Sequence, residues 1–176
     1  MSYDNTMKLI EFKIKRFKEL VTGILISSGT HWSLVRLNVV DYVLDGFMLI
    51  NKKYIVYEKE IEKSTILHKI LSIKNKTGDM VPSLDKDILD EISMIYSYLE
   101  KSDLMIAVCL HREDVLYIGK IKDVGTKSFF LDSYDTELQK SGLMKIEFNK
   151  VRYIQIHTDY IDSLSLLMDT GQQWYV

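Results

Sequence analysis

Val21-Thr22-Gly23-Ile24-Leu25, followed by Gly29, Trp32, Ser33 and Leu34, reads as a strand, a tight turn and a second strand. Glycine inside a strand permits sharp bending or close approach of a neighbouring backbone, a device by which small sheets curl into barrels. Sliding the sequence on itself by 96 positions sets Gly23 against Gly119, Gly29 against Gly125 and Gly46 against Gly142, so six of the eight glycines coincide. In the same register Ile10 meets Ile106, Ile14 meets Leu110, Leu25 meets Ile121, Leu34 meets Phe130, and Met48 and Ile50 meet Met144 and Ile146. Apolar positions that coincide together with turn positions are what a duplicated fold requires, because each copy repeats the same core and bends.

Around these stretches the chain is β-rich. Glu11-Phe12-Lys13-Ile14-Lys15 alternates strictly, and Met105 to Leu110 is short, apolar and bounded by polar residues, as a buried strand would be. Further strands are expected at Trp32 to Leu37, from Phe47, at Tyr54 to Tyr57, at Ser128 to Ser133, from Leu143 and at Val151 to His157, with short helices near Ser64 to Ile73 and Tyr160 to Met168. The one proline, Pro82, and the polar run from Lys74 to Ser83 mark the boundary between the halves. Beyond it Leu84, Ile88, Leu89, Ile92, Ile95, Tyr96 and Leu99 recur at helical spacing, with Ser83 as N-cap and carboxylates on the early turns, which predicts an amphipathic helix over residues 84 to 101. The expected organisation is a first module at 1–76, a linker and connecting helix at 77–102, and a second module with a C-terminal tail at 103–176.

The first copy resembles the Sm-like fold of Sm, Lsm and Hfq proteins. Its hydrophobic-x-Gly-x-Leu strand leads through a turn into a hydrophobic strand, and Ile118, Gly119, Ile121, Gly125, Phe130 and Leu131 repeat the pattern more loosely. The chain is thus similar to bacterial proteins with tandem Sm-like units. The resemblance implies a mainly β, α+β chain of two small five-stranded bent antiparallel sheets or barrels joined by the amphipathic helix. It also implies that strands can be shared at open edges, so that the fourth strand of one copy could pair with the fifth of the other. In RNA-binding members the turn carries an Asp and the next strand begins with an Asn that helps hold a base, whereas here Gly29 and Ser33, then Gly125 and Phe129, stand at those places. An Arg-Gly pair is replaced by Asn51-Lys52 and Glu147-Phe148. The scaffold is expected without the uridine-binding chemistry, and fold alone does not carry function over.

Composition narrows the classes further. With 176 residues, 47% of them hydrophobic and 27% charged, the chain has the balance of a soluble globular protein, and neither a signal-like start nor a membrane-spanning run is present. A cytoplasmic location is the expectation, consistent with the single cysteine, Cys109, read as a small core residue in a strand. Net charge is −2, so no global basic field exists, yet residues 1–80 carry 13 Lys/Arg against 9 Asp/Glu and residues 81–176 carry 10 against 16. The four histidines are scattered, with no HExxH, no paired cysteines and no phosphate loop, so no catalytic residue, metal or cofactor is expected. His111-Arg112-Glu113-Asp114 is the one compact acid-base cluster, and it falls at a predicted hairpin.

Two features remain as candidate partner-binding sites. Lys13, Lys15, Arg16 and Lys18 concentrate positive charge on one hairpin beside Phe12 and Phe17, a pattern able to grip an acidic protein surface or single-stranded nucleic acid. Trp174 and Tyr175 form either a tail docked on a barrel or an exposed anchor. The sequence therefore points to a non-catalytic binding protein whose partner is another protein, as in an immunity or adaptor role. A diverged Sm-like RNA-binding protein is the alternative. The unequal halves argue against a uniform ring, and a monomer or small oligomer is expected.

Overall fold

The computed structural model describes residues 7–76, 81–82 and 84–170. Among these, the first half supplies β1 (Lys8–Ile14), β2 (Val21–Ser28), β3 (Trp32–Val40), β4 (Val43–Asn51), β5 (Ile55–Glu60) and helix α1 (Ile66–Lys76). Helices α2 (Lys86–Asp90) and α3 (Met94–Lys101) follow. The second half supplies β6 (Met105–Cys109), β7 (Leu116–Val124), β8 (Ser128–Tyr134), β9 (Lys140–Glu147), β10 (Tyr153–Ile156) and helix α4 (Asp159–Asp169). The mainly β, α+β class expected from the sequence is what the chain adopts.

The two separate barrels are not. All ten strands join in one antiparallel sheet, ordered β5-β1-β2-β3-β4-β10-β6-β7-β8-β9. The cause is β10, which pairs with β6 of its own half through Tyr153–Cys109, Ile154–Val108 and Gln155–Ala107. It pairs equally with β4 of the other half, through Tyr153–Ile50, Ile154–Leu49, Gln155–Met48 and Ile156–Phe47. Edge strands carry unpaired N–H and C=O groups that invite a partner, and here the fourth strand of one half and the fifth of the other satisfy each other.

Within this sheet the two halves repeat at the offset of 96. Ile10 pairs with Gly23, which pairs with Leu37; Ile106 pairs with Gly119, which pairs with Ser133. Trp32 opposes Asn51 as Ser128 opposes Glu147. One-turn 3-10 helices at Lys52–Tyr54 and Phe148–Lys150 make the same connection in each half. Gly23 and Gly119 sit where the third strand's backbone passes close: a Cβ would lie 2.7 Å from the Arg36 carbonyl oxygen at the first and 2.3 Å from that of Asp132 at the second.

Successive strand residues face opposite sides of a sheet, and β4 uses both. Met48 and Ile50 join Ile10, Phe12, Ile14, Val35 and Leu37 in one buried cluster, which also receives Cys109 and Tyr153. Phe47 and Leu49 join a second cluster, with Trp32, Leu34, Ile154, Ile156 and the second half's Ile106, Val108, Phe129 and Leu131. The equivalents Phe12 and Val108 therefore pack on opposite faces. Each fully buried side chain of this size contributes roughly 1.5–3 kcal/mol of transfer free energy, so the seam at β4 and β10 is stabilised from both sides. Helix α1 covers Leu9 and Ile24 through Leu71. Helix α4, capped by the Thr158 hydroxyl, lays Ile161 and Leu164 on Met105, Ala107 and Ile118.

The single helix expected over 84–101 is broken after Asp90, where Glu91 takes extended angles (φ −114°, ψ 129°); Ser83, its expected cap, lies outside the described residues. Tertiary bonding overrides the helical period at this point. The Leu89 carbonyl accepts the His31 N–H at 3.0 Å, and one Asp90 carboxylate oxygen accepts both the Thr30 N–H (2.6 Å) and the Thr30 hydroxyl (2.9 Å). Helix α2 is thereby fastened to the β2–β3 turn, while α3 turns its Ile95, Tyr96 and Leu99 into the second cluster.

The Thr30 backbone and hydroxyl donors hold the Asp90 carboxyl below its ordinary value, with Lys86 and His31 adding to the effect. A carboxylate depressed in the folded state stabilises above its unfolded value, about 3.9, and stops doing so as pH falls through the lower folded value. Asp90→Asn is accordingly expected to lower the melting temperature at pH 7, and the gap to wild type should narrow on acidification below about pH 4. Melting curves across that range check this; a gap that stays constant would contradict it.

Candidate functional site: the basic cleft at the seam

Four connections meet at one end of the seam. The β1–β2 turn is tight, with the Lys15 N–H on the Tyr54 carbonyl (2.8 Å) and the Phe17 N–H on that of Ile14 (3.1 Å). Across the seam lie the end of β6 at Leu110 and His111, and the two 3-10 connections that lead into β5 and β10. The Tyr54 hydroxyl donates to the Asn149 carbonyl, tying those connections together.

Arg152, immediately before β10, is the residue on which these pieces converge. Its backbone N–H donates to the Cys109 carbonyl and its carbonyl accepts from the Asn51 N–H, both at 2.9 Å. Its guanidinium donates from Nε to the Leu110 carbonyl at 2.6 Å and from Nη1 to the Lys15 carbonyl. The guanidinium carbon lies 5.3 Å from the Phe17 ring centre and 4.9 Å from that of Tyr54, within cation–π range. Arg152 is only 4% exposed, and its partners are neutral carbonyls and aromatic faces instead of a carboxylate.

A cleft of about 320 Å³ opens beside it, lined by Lys15, Arg16, Tyr54, Leu110, His111, Lys150 and Arg152. Four Lys or Arg residues line this space, two from each half, and no Asp or Glu does. The nearby carboxylates are committed elsewhere: Glu113 accepts the Lys18 and Glu19 N–H groups at 2.7 and 3.4 Å, and Asp114 pairs with Arg112 at 2.6 Å. None of the four lining cations forms an ion pair among the described residues. No direct ion pair neutralises the lining cations, while Glu113, bonded to neutral N–H groups, keeps its charge on the adjoining loop.

The basic run singled out in the sequence is divided by the fold. Lys15 and Arg16 reach the cleft. The Lys13 ammonium instead turns back onto the Lys18 carbonyl (2.7 Å), and Lys18 is drawn toward the second half by Glu113. Lys150, Arg152 and His111 complete the site: the sequence reading leaves out Lys150 and Arg152, which stand one residue apart at the start of the expected last strand, and takes His111 only as part of the charged hairpin at 111–114. One signal was available: an arginine inside the expected last strand, at 152, next to residues with apolar β character. Trp174 and Tyr175 lie outside the described residues.

Nothing in the family or protein comparisons overrides this geometry. No protein-family model matches the sequence, and no curated protein matches it. The reading of the cleft accordingly rests on its own residues.

Arg112, Asp114 and Cys109, close to the cleft in the chain, have structural occupations. In the hairpin at residues 111–114, Arg112 and Asp114 bind each other through two hydrogen bonds, from Nε at 3.0 Å and Nη2 at 2.6 Å. Burial pushes the Cys109 thiol up to about 11, so at neutral pH it is a protonated core group. Among the described residues no three His, Cys, Asp or Glu side chains are placed to share a metal ion, and no helix is long and apolar enough to cross a membrane.

Proposed function

We propose that the chain is a non-catalytic, cytoplasmic binding protein of tandem Sm-like modules, whose partner is another protein presenting an acidic surface to the loop end of the seam. An immunity or adaptor role is of this kind, since it requires shape and charge complementarity and no reacting groups. The observation that carries the proposal is the cleft itself: cations from two halves of the chain converge on one concave site without a carboxylate among its walls. The Sm-like assignment is supported by the order β5-β1-β2-β3-β4 repeated as β10-β6-β7-β8-β9, and by the joining of a fourth strand to a fifth.

RNA binding of the family's type is the weaker reading. The positions where RNA-binding members place a base-holding Asn carry Ser33, 1% exposed and bonded to Ser28 through its hydroxyl (3.1 Å), and Phe129, fully buried. Neither side chain is presented to a base. Capture of the tagged protein from cells separates the two readings. A stoichiometric complex is expected that survives nuclease and about 0.5 M salt and is lost in the double variant Lys15→Glu, Arg16→Glu. Recovery of RNA alone, released steeply by salt, would overturn the protein-partner reading.

The chain is also expected to remain a monomer or small oligomer. If the register of the seam were carried to the two free edges, β5 of one copy against β9 of the next, Glu58 would oppose Lys145 where Ile154 opposes Leu49. Glu60 would then oppose Leu143 where Ile156 opposes Phe47. Burying charged groups at such a junction costs several kcal/mol that the ion pair regains only with excellent geometry. Light scattering over a range of concentrations tests this, and a stable ring of six or more copies would refute it.

A further inference from the structure

We propose that the seam cleft binds a phosphate monoester group, with the phosphoryl oxygens facing Arg152, Lys15, Arg16 and Lys150. This rests on the cleft being the recognition site, as proposed above, and not on the class of partner that enters it.

The first support is Arg152. Its Nε and Nη1 are taken by the Leu110 and Lys15 carbonyls, whereas Nη2 forms no hydrogen bond among the described residues and is not a fully buried unsatisfied atom. Arg152 also lines the cleft. Held by two carbonyls and two rings, it offers one donor edge that is already oriented, so little side-chain entropy is lost when an oxyanion arrives. A buried cation without a counter-ion is costly, and an anion in the cleft offsets that cost.

The second support is charge. Four cations around one small space are better matched by a phosphate monoester, which carries about −1.5 to −2 at pH 7, than by a carboxylate carrying −1. Size is the third. A volume of about 320 Å³ is at the lower end of small-ligand sites and suits a phosphate with a short attached group, whose carbon atoms meet Tyr54 and Leu110. A polyanionic strand fits less well, because the adjoining loops carry Glu19, Glu113 and Asp114 and a backbone leaving the cleft would run into carboxylates.

The test is a titration of the isotope-labelled full chain, at constant ionic strength, with inorganic phosphate, glycerol 3-phosphate, a phosphoserine peptide and acetate, followed by amide chemical shifts. Saturable shifts confined to residues 15–16, 54, 110–111 and 150–152 are expected with the phosphates, and affinity for acetate should be at least tenfold lower. Lys150→Glu, an exposed position, should weaken phosphate binding at least tenfold without changing the melting temperature, and Arg16→Glu is the second variant. Tighter binding of glycerol 3-phosphate assigns a free metabolite and tighter binding of the peptide a modified protein; either supports the site. Silence of those amides, equal response to acetate, full binding by Lys150→Glu, or affinity that climbs with the length of an oligoribonucleotide would each overturn the proposal. Because the titration uses the purified chain alone, its failure leaves the partner-capture result standing, and the reverse.

Discussion

Tyr96→Ala is expected to cost about 4 kcal/mol of folding stability, the range observed when a large buried aromatic is truncated. That is a large share of the 5–15 kcal/mol typical of a folded domain. Tyr96 is fully buried on α3, stacked on Phe148 at 4.4 Å and Phe129 at 4.7 Å, and edge-on to Trp32 at 5.9 Å. Trp32 belongs to the first half and the two phenylalanines to the second, so this one ring joins three parts of the chain. Burial drives the phenol well above its ordinary pKa, and the neutral hydroxyl donates to the Phe148 carbonyl at 3.4 Å. Tyr96→Phe retains the stack and loses only that long bond, which should cost less than about 1 kcal/mol. Urea unfolding of the two variants checks the contrast. A loss below about 1.5 kcal/mol for the alanine variant would mean that the stack does not join the halves.

Gly29→Ala and Gly125→Ala, equivalent under the offset of 96, are expected to differ sharply. Both glycines sit in the same turn, with N–H groups donating to the Trp32 and Ser128 carbonyls at 2.9 Å. A Cβ on Gly29 would lie 2.4 Å from the Leu89 carbonyl carbon and 2.7 Å from the Asp90 nitrogen, backbone that cannot step aside. On Gly125 the one neighbour within 4 Å is the Ser128 carbonyl oxygen at 3.3 Å. Overpacking of a closed contact typically costs 1–3 kcal/mol, and at Gly29 the upper end is expected, because the methyl would push α2 off its docking turn. Gly125→Ala should cost less than about 1 kcal/mol. Thermal melts of the two variants decide it; equal losses would show that α2 is not anchored where Thr30 and Asp90 meet.

That contrast also shows what could be read from the sequence. Coincident glycines and apolar residues at 96-residue spacing located the repeat, because strand register is governed by period-two burial and by tight turns, both local properties. The same offset could not say that Gly29 lies under a helix and Gly125 in the open, since α2 packs on one copy only. The helical period over 84–101 was equally local, and it lost to the bonds from His31 to Leu89 and from Thr30 to Asp90, each joining residues about 60 apart in the chain. The cleft was half legible. Lys15 and Arg16 stood out as neighbours in a basic run, whereas Lys150 and Arg152 reach it only because β10 is inserted between β4 and β6. An insertion of that kind depends on which edge is left open once each half has formed.

That insertion sets a timetable for the newborn chain. At about 5–20 residues per second on the ribosome, the roughly 100 residues separating β4 from β10 take on the order of 5–20 s to synthesise. Throughout that interval Phe47, Met48, Leu49 and Ile50 have been made while their partners Ile156 through Tyr153 have not. The middle of the finished sheet is therefore the last part to close, and a nascent molecule carries an apolar strand edge of the kind that chaperones shield and that neighbouring polysome products can invade.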